Sequence, residues 1–463
     1  AEELGGVYES LLALTPQISA DGARFTFAEF AGNERKTSGS YYTPDSLVQC
    51  LLDSALDPVV EETIKGKTGV EAEKAILALK VCDPAVGSGH FLVGAAHRLA
   101  RHLARVRALT QGESEPSPLL YQHALRDVIG RCLYGVDLNP MAAELCRVSL
   151  WLEALEPGKP LSFLDHHIRV GNSLLGATPE LIAAGLPDEA FTAIEGDDKN
   201  VCAALKQRNK KEREGQRDMA HLMVAEPQAE YNSIEARTRG IDESPDATLD
   251  DIQKKADQFR RLVVSPEYIH AQLVADAWCG AFVWKKQPRM PFEPVTTDTI
   301  RRLLADQDAL TPEQRNELDR LSGQYQFFHW QLSYPEVFAT GGFDCVLGNP
   351  PWERVKLQEK EWFAEGSPEI ANAPNSAARK RMIDELKTGN PSLYQQFHDD
   401  TRKAEGESHL LRNTGRYPLC GRGDINTYAV FAEAMRNLLG PTGRVGCVLP
   451  TGIATDDTTK FFF

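Results

Sequence analysis

Val81-Cys-Asp-Pro-Ala-Val-Gly-Ser-Gly-His-Phe91 is the stretch from which the rest of the chain is read. The apolar run Ala78–Cys82 predicts a short buried strand, closed by Asp83-Pro84. A helix is expected from His90 to about Leu109. Strand, Gly87-x-Gly89 and helix form the arrangement that carries a nucleotide-like ligand, because glycine lets the backbone approach the ligand closely. A phosphate loop would want Gly-Lys-Ser/Thr, which is absent, and a dinucleotide loop would want a third glycine where Leu92 stands. Asp83 would repel phosphate at the strand end. It suits a cationic or amine-bearing ligand, and S-adenosyl-L-methionine fits through its sulfonium and α-amino group. An ordinary strand–helix turn would also use Gly87 and Gly89. The full Asp83-Pro-Ala85-x-Gly87-Ser-Gly89 pattern is much more specific.

Downstream, Cys132–Val136 is a second candidate strand, and Tyr134-Gly-Val-Asp-Leu-Asn-Pro140 ends it on Asp137. A carboxylate there can accept both ribose hydroxyls of a nucleoside. Asp137 lies 137 − 83 = 54 residues after Asp83, against the usual ~20. An extra helical stretch with a loop at Gln111–Pro118 accounts for the difference. Capping of the helix Pro140–Leu155 is the competing role for Asp137. Ile168-Arg-Val170 then leads into Gly171-Asn172-Ser173-Leu174, where the Asn172 amide offers donor and acceptor to an adenine edge, or simply makes a turn. Strands spaced by helices imply a parallel α/β sheet.

The second decisive stretch is Asp344-Cys-Val-Leu-Gly-Asn-Pro-Pro-Trp352, after a strand expected at Phe343–Leu347. An exocyclic amine conjugated to a ring is a poor nucleophile, because its lone pair is delocalised. The Asn349 side-chain oxygen and the Pro350 carbonyl can each accept one N–H. That draws the nitrogen toward tetrahedral geometry and frees its lone pair for in-line attack on a sulfonium methyl. Pro350 and Pro351 fix the backbone and remove a competing donor. Trp352 supplies a flat face on which an extruded base can stack. No general base is essential, so catalysis rests on positioning and electrostatics. A rigid Pro-Pro turn without chemistry is the alternative.

Around these motifs the 463 residues divide into four segments. Residues 1–75 read as helical, with Leu4, Val7, Leu11 and Leu12 on one face, a loop at Gly32–Gly39 and a helix Asp45–Val60. Residues 76–180 hold the glycine loop. Residues 181–330 read as a helical insertion, from the periodicity of Ile252–Val263 and Ile300–Leu321. Its charge run from Lys206 to Arg217 reads as a solvated helix face. Lys206, Arg208, Lys210, Lys211 and Arg213 lining a DNA path is the minority reading. Residues 331–463 return to α/β, with a helix Thr427–Leu439 stopped by Gly440-Pro441 and a strand Arg444–Leu449. With 51 Lys and Arg against 66 Asp and Glu, the net charge of −15 argues against a chain that coats nucleic acid non-specifically. Its 42% hydrophobic and 25% charged content is that of a globular protein. No apolar run reaches the ~18 residues of a membrane span, so no membrane partner is expected. Nine cysteines without a C-x-x-C fit a reducing cytoplasm and argue against a zinc ribbon; no metal is expected. The start at Ala1 and the end at Phe463 read as cuts in a longer protein.

The order of motifs resembles the γ-type amino-group DNA methyltransferases that make N6-methyladenine. Ser40-Tyr-Tyr-Thr-Pro44 resembles that family's N-terminal motif, and Asp83–Gly89, Asp137, Gly171-Asn172 and Asn349–Trp352 follow in its order. Gly423-Asp-Ile-Asn-Thr-Tyr428 and Gly443–Pro450 resemble its later strands around the target pocket. Leu4–Leu12 and Phe327–Leu332 fit the style of the large methylases of type IIG restriction–modification and of BREX or DISARM anti-phage systems. The resemblance covers roughly residues 1–180 and 325–463. It implies a Rossmann-like class I fold that binds S-adenosyl-L-methionine, with an N-terminal helical segment and a large helical insertion. It implies Thr43 at the methionyl part of the cofactor, and Asp83, Ala85, Gly87 and Gly89 at its amino-acid and sulfonium end. Asp137 would hold the ribose and Asn172 the adenine. Asn349 and Pro350 would grip the target amine, with Pro351 and Trp352 completing the loop. Trp352 stands where many relatives have Tyr or Phe, and Asn172 where an acid is common. The implied partner is double-stranded DNA with the base flipped out, together with other defence-system proteins. Methylation of an RNA base or of protein glutamine is one alternative, and a non-catalytic cofactor-binding subunit is another. Sequence specificity is expected after residue 463 or in a partner.

Overall fold

The computed structural model describes residues 14–18, 25–29, 43–216 and 225–462. Two strands come first, β1 (Leu14–Ile18) and β2 (Phe25–Glu29), paired antiparallel. This corrects the helical reading of residues 1–75 at these ten residues, while Asp45–Ile64 and Gly69–Leu77 are helical. The alternating aromatics Phe25 and Phe27 are the period of a strand. The Leu4–Leu12 face, the Gly32–Gly39 loop and Ser40–Tyr42 lie outside the described residues. The next helix starts at Asp45 as expected but runs further. Asp45–Leu51 passes through a π turn, Leu52–Leu56, into Asp57–Ile64. Pro58 has no N–H for the carbonyl four residues back, and the helix widens just before it.

Five parallel strands form the central sheet: β3 (Val81–Asp83), β4 (Leu133–Asp137), β5 (Ile168–Val170), β6 (Phe343–Gly348) and β7 (Leu439–Cys447). Their order is β5-β4-β3-β6-β7. The chain winds outward from β3 to one side and then returns to wind to the other. The switch point of a doubly wound sheet therefore lies between β3 and β6, the crevice in which such folds place ligands. Register is set by Val81 opposite Leu133 and Cys345, and by side chains alternating between the two faces. Val81, Leu133, Cys345 and Leu347 pack with the helices His90–Thr110 and Pro140–Glu153. Cys82, Tyr134 and Val346 face the other way, onto Phe328, Trp330, Tyr334 and Met435.

Residues 181–330 are helical, as read from the sequence, around one apolar helix, Pro266–Val283, that is buried on nearly every side. The run Ile300–Leu321 divides into Thr297–Ala305 and Pro312–Tyr325, because Thr311 starts a new helix with a capping box to Gln314. The charge run lies on Lys199–Gln216. Arg208 there pairs with Glu212 and Glu293, both at 2.8 Å, and Arg213 with Asp188 at 3.1 Å. A second helical excursion was not anticipated. Glu359–Gly366, Pro368–Ala371, Ser376–Gly389 and Pro391–Asn413 stand between β6 and β7 and share a small core of Phe363, Ile370, Ile383 and Phe397. The last strand also begins earlier than expected. The helix Thr427–Asn437 ends before Gly440-Pro441, and β7 already includes them. β7 is a sheet edge, where a proline without N–H is tolerated. The β6–β7 register slips there, between Phe343 and Cys345. Among the described residues no helix is long and apolar enough to cross a membrane.

Candidate active site

The glycine loop sits at the carboxyl end of β3. Asp83 is buried, and its Oδ1 accepts the Ala85 N–H at 3.0 Å. Gly87 and Gly89 have φ of 53° and 91°, a region side chains rarely adopt. A Cβ on Gly89 would come within 2.9 Å of Cys146 Sγ, so the loop also needs glycine to lie against the helix Pro140–Glu153. The Asp137 carboxylate faces the loop from β4. Its Oδ2 accepts the Gly87 N–H and its Oδ1 the Asn139 N–H, both at 2.8 Å. Helix capping falls to Asn139, whose Oδ1 accepts the Met141 N–H. Gly171 N–H reaches the Asp137 carbonyl at 2.9 Å. Asn172 follows, with its Oδ1 accepting the Leu174 N–H at 3.2 Å, the turn role read as its alternative. Its N–H binds the Gln326 carbonyl, so this loop is tied to the return from the insertion.

β6 is hydrogen-bonded to β3 and delivers Asn349 to the same end of the sheet. A Cβ on Gly348 would lie 2.8 Å from Asp83 Oδ1, so the last β6 residue has to be small for the carboxyl to fit. Asn349 Nδ2 donates to Thr43 Oγ1 at 3.1 Å. Its Oδ1 is buried and has no hydrogen-bond partner among the described residues. Thr43 and Asn349, 306 positions apart in sequence, are thus in contact. Pro350 is buried, while Trp352 is 48% exposed.

Two supports lie in stretches singled out from the sequence, Gly423–Tyr428 and Phe327–Leu332, but their roles were not read there. Thr427 Oγ1 donates to the Pro351 carbonyl at 2.6 Å and accepts the Glu353 N–H at 2.8 Å. Its own N–H binds the Glu353 carbonyl. The exit of the Pro-Pro turn is thereby pinned to the start of the helix Thr427–Asn437. Thr427 falls inside the motif Gly423–Tyr428, so its neighbourhood was flagged although its role was not. The second support is the strap Phe327–Tyr334. Phe328 N–H binds the Leu175 carbonyl, Trp330 Nε1 donates to the Ser173 carbonyl, and Tyr334 Oη lies 3.0 Å from the Gly135 carbonyl and 2.8 Å from that of His167.

One group among the described residues combines donor types and proximity that could hold a metal: His166, His167 and Asp242. It lies just before β5, at the opposite end of the sheet. Both Nε2 atoms meet Asp242 Oδ1, at 3.0 and 3.2 Å. Burial pushes the His167 imidazole down to about 3 and lowers that of His166, which leaves two neutral rings donating to one carboxylate. Both Nδ1 atoms are buried without a partner. In a metal centre those nitrogens would be N–H donors needing acceptors. As bare acceptors they cost less, and the hydrogen-bonded reading accounts for the cluster.

The electrostatics of the upper end are different. Burial pushes the Asp83 carboxyl up to about 7; the Ala85 N–H works against the rise, and Asp137 adds to it. Among the described residues no cationic side chain offsets it. Asp137 is also raised by burial, against the Asn139 and Gly87 donors. A buried, unneutralised carboxyl beside a glycine loop calls for a cationic ligand, and a second carboxylate still has lone pairs for hydroxyls. These residues fit a sulfonium nucleoside that carries an amino group. The orphaned Asn349 Oδ1 calls for an N–H donor.

A family model described as Eco57I restriction-modification methylase matches residues 131–408, well over half of the chain. The match runs through 181–330, the stretch that carries no motif of its own. An N-6 DNA methylase model matches residues 20–183. A protein of Methanocaldococcus jannaschii, provisionally named a type II restriction enzyme and methyltransferase, is 22% identical over 75% of this chain and 30% of its own length. The adenine-specific methyltransferase PglX of Streptomyces coelicolor is 30% identical over 35% of this chain and 13% of its own. The Eco57I type II restriction enzyme and methyltransferase of Escherichia coli is 30% identical over 29% of this chain and 14% of its own. The chain therefore spans less than a third of the length of each of these relatives.

Proposed function

The chain belongs to the Eco57I restriction-modification methylase family, and from that premise we propose that its site moves a methyl group from S-adenosyl-L-methionine to the N6 amine of an adenine flipped out of double-stranded DNA. The observation that carries the reading is the buried, unpartnered Asn349 Oδ1 at the end of β6, one strand away from the glycine loop. The cofactor would supply an electrophilic methyl on a positively charged sulfur.

Asp83 holds the cationic amino-acid end, with Ala85, Gly87 and Gly89 shaping the backbone around it and Thr43 close by. Asp137 accepts from the ribose. Asn172, whose oxygen already serves Leu174, offers its Nδ2 to the adenine edge. Asn349 Oδ1 and the Pro350 carbonyl each accept one N–H of the target amine. The Pro351 carbonyl is engaged by Thr427, so it does not compete for that amine. The half-exposed Trp352 stacks on the extruded base. In the full-length protein this reaction serves restriction–modification or phage defence in the cytoplasm, with site recognition and partner proteins supplied outside these residues.

The test is sequencing of DNA from a methylation-free host that expresses the full-length gene, beside Asn349→Ala. N6-methyladenine at one motif, absent in the variant, is the expected result. Its absence from both, with tritiated methyl appearing in RNA or protein instead, would overturn the substrate.

A further inference from the structure

We propose that Thr43 is a positioning residue for the reaction, holding the Asn349 carboxamide so that its oxygen faces the target amine. The inference rests on the reading above and deepens it. A carboxamide presents an acceptor on one side and a donor on the other. Turned by half a revolution, Asn349 would point its NH2 group at the amine it has to bind, donor against donor. Its own backbone does not choose between the two orientations. The contact that does is across the crevice: Nδ2 donates to Thr43 Oγ1 at 3.1 Å, and Oδ1 is left buried with nothing to accept among the described residues. Thr43 is itself buried, just ahead of the helix that opens at Asp45. That helix is anchored on the strands that carry Asn349: Leu52, Ala55 and Leu56 share a buried core with Cys345 and Leu347 of β6, and a Cβ added to Gly446 of β7 would lie only 3.0 Å from Ala55 Cβ. The hydroxyl is therefore held by the same body that carries Asn349.

The experiment uses the full-length protein, with kcat measured at saturating cofactor and DNA so that weakened binding drops out. Thr43→Val keeps the shape and removes the lone pairs. kcat should fall about tenfold, the worth of one lost hydrogen bond at a reacting group. Thr43→Ser should restore most of it. The deciding arm is Asn349→Asp, whose carboxylate presents an oxygen to the target whichever way it turns. In that background Thr43→Val should change kcat by less than about twofold. A readout apart from turnover is binding to DNA with purine, which lacks the amine, in place of the target adenine. Wild type should favour adenine, and Thr43→Val should lose most of that preference. An unchanged kcat in Thr43→Val, or an equal fall in the Asn349→Asp background, overturns the inference and leaves the methyltransferase reading intact. A wild-type protein that methylates no adenine overturns both.

Discussion

The two ends of the central sheet contrast in how far their polar groups satisfy one another. At the amino end, near β5, both imidazole N–H groups of His166 and His167 find Asp242, leaving only two bare Nδ1 acceptors, and the carbonyls of Gly135 and His167 share the Tyr334 hydroxyl. At the carboxyl end, Asp83 is buried without a cation and Asn349 Oδ1 without a donor among the described residues. Both ends are built of buried polar side chains on the same strands, so burial alone does not mark a site. What distinguishes the carboxyl end is that its orphaned groups, a buried carboxyl and an amide oxygen, sit together on the two adjacent strands that border the switch point. An unsatisfied buried group costs about 1–3 kcal/mol, and a fold retains it where a ligand supplies the partner.

The contrast can be broken from either side. The largest effect is expected for Asn349→Ala in the full-length protein. Methyl transfer should fall by about 10²–10³ or more, the loss seen when a reacting group loses its aligned polar partner. The melting temperature should change little, because the oxygen removed has no partner among the described residues and only the Nδ2 contact to Thr43 is lost. Asp83→Asn should weaken calorimetric affinity for S-adenosyl-L-methionine by roughly 30-fold or more, through the loss of a charge-assisted contact. It too should keep or raise the melting temperature at pH 8, since it removes a buried charge. Asp242→Ala is the mirror case. It strands two imidazole donors and should cost about 1–3 kcal/mol in denaturant unfolding, with kcat unchanged below the transition.

A pH series sharpens the same contrast. Asp83 must be ionised to hold an ammonium, and its carboxyl in the free chain titrates at about 7. Affinity for the cofactor should therefore be flat above pH 7 and weaken up to about tenfold per unit below it. Its effect on stability has the opposite sign. With the folded value above the unfolded one, the free chain is stabilised by this group at low pH and loses that contribution as pH rises toward 7. His167, lowered to about 3, acts the other way: acidification below the ordinary imidazole range protonates the unfolded chain first, so stability falls. Melting temperatures of Asp83→Asn and Asp242→Ala across pH 4–8 would separate the two. The smallest effect is expected from neutralising Lys206, Arg208, Lys210, Lys211 and Arg213. Two of these five are already paired with carboxylates, so the salt slope of DNA binding should shift little. A large shift would restore the DNA-path reading.

The motifs proposed to contact a ligand were legible because each is local. Asp83–Gly89 carries its own strand, turn and helix, and Asn349–Trp352 carries its own rigidity. The central strands and the insertion helices followed from the period of apolar residues. What stayed hidden was pairing across the chain. Thr43 read as a cofactor contact only through resemblance, and its hydroxyl meets an amide 306 positions away. Thr427 reaches back 76 positions to Pro351 across the second helical excursion. Neither distance leaves a periodic trace. β1 and β2 were misread because a helical face further upstream was extended over them. Gly440-Pro441 was misread because a helix stop and an edge-strand entry use the same residues.

The place of β3 beside β6 has a consequence for how the molecule is made. Lys80 and Asp344, hydrogen-bonded across that seam, are separated by 264 positions. At roughly 5–20 residues per second on the ribosome, β6 follows β3 by some ten to fifty seconds. For that interval the nascent chain presents β4 and β3 with one flank of β3 unpaired, a template for any other extended segment. The crevice between β3 and β6 therefore closes late, and of the five strands only the edge strand β7 joins the sheet after it. Slowing synthesis within residues 181–330 should raise the fraction of chains that aggregate far more than slowing it after residue 350.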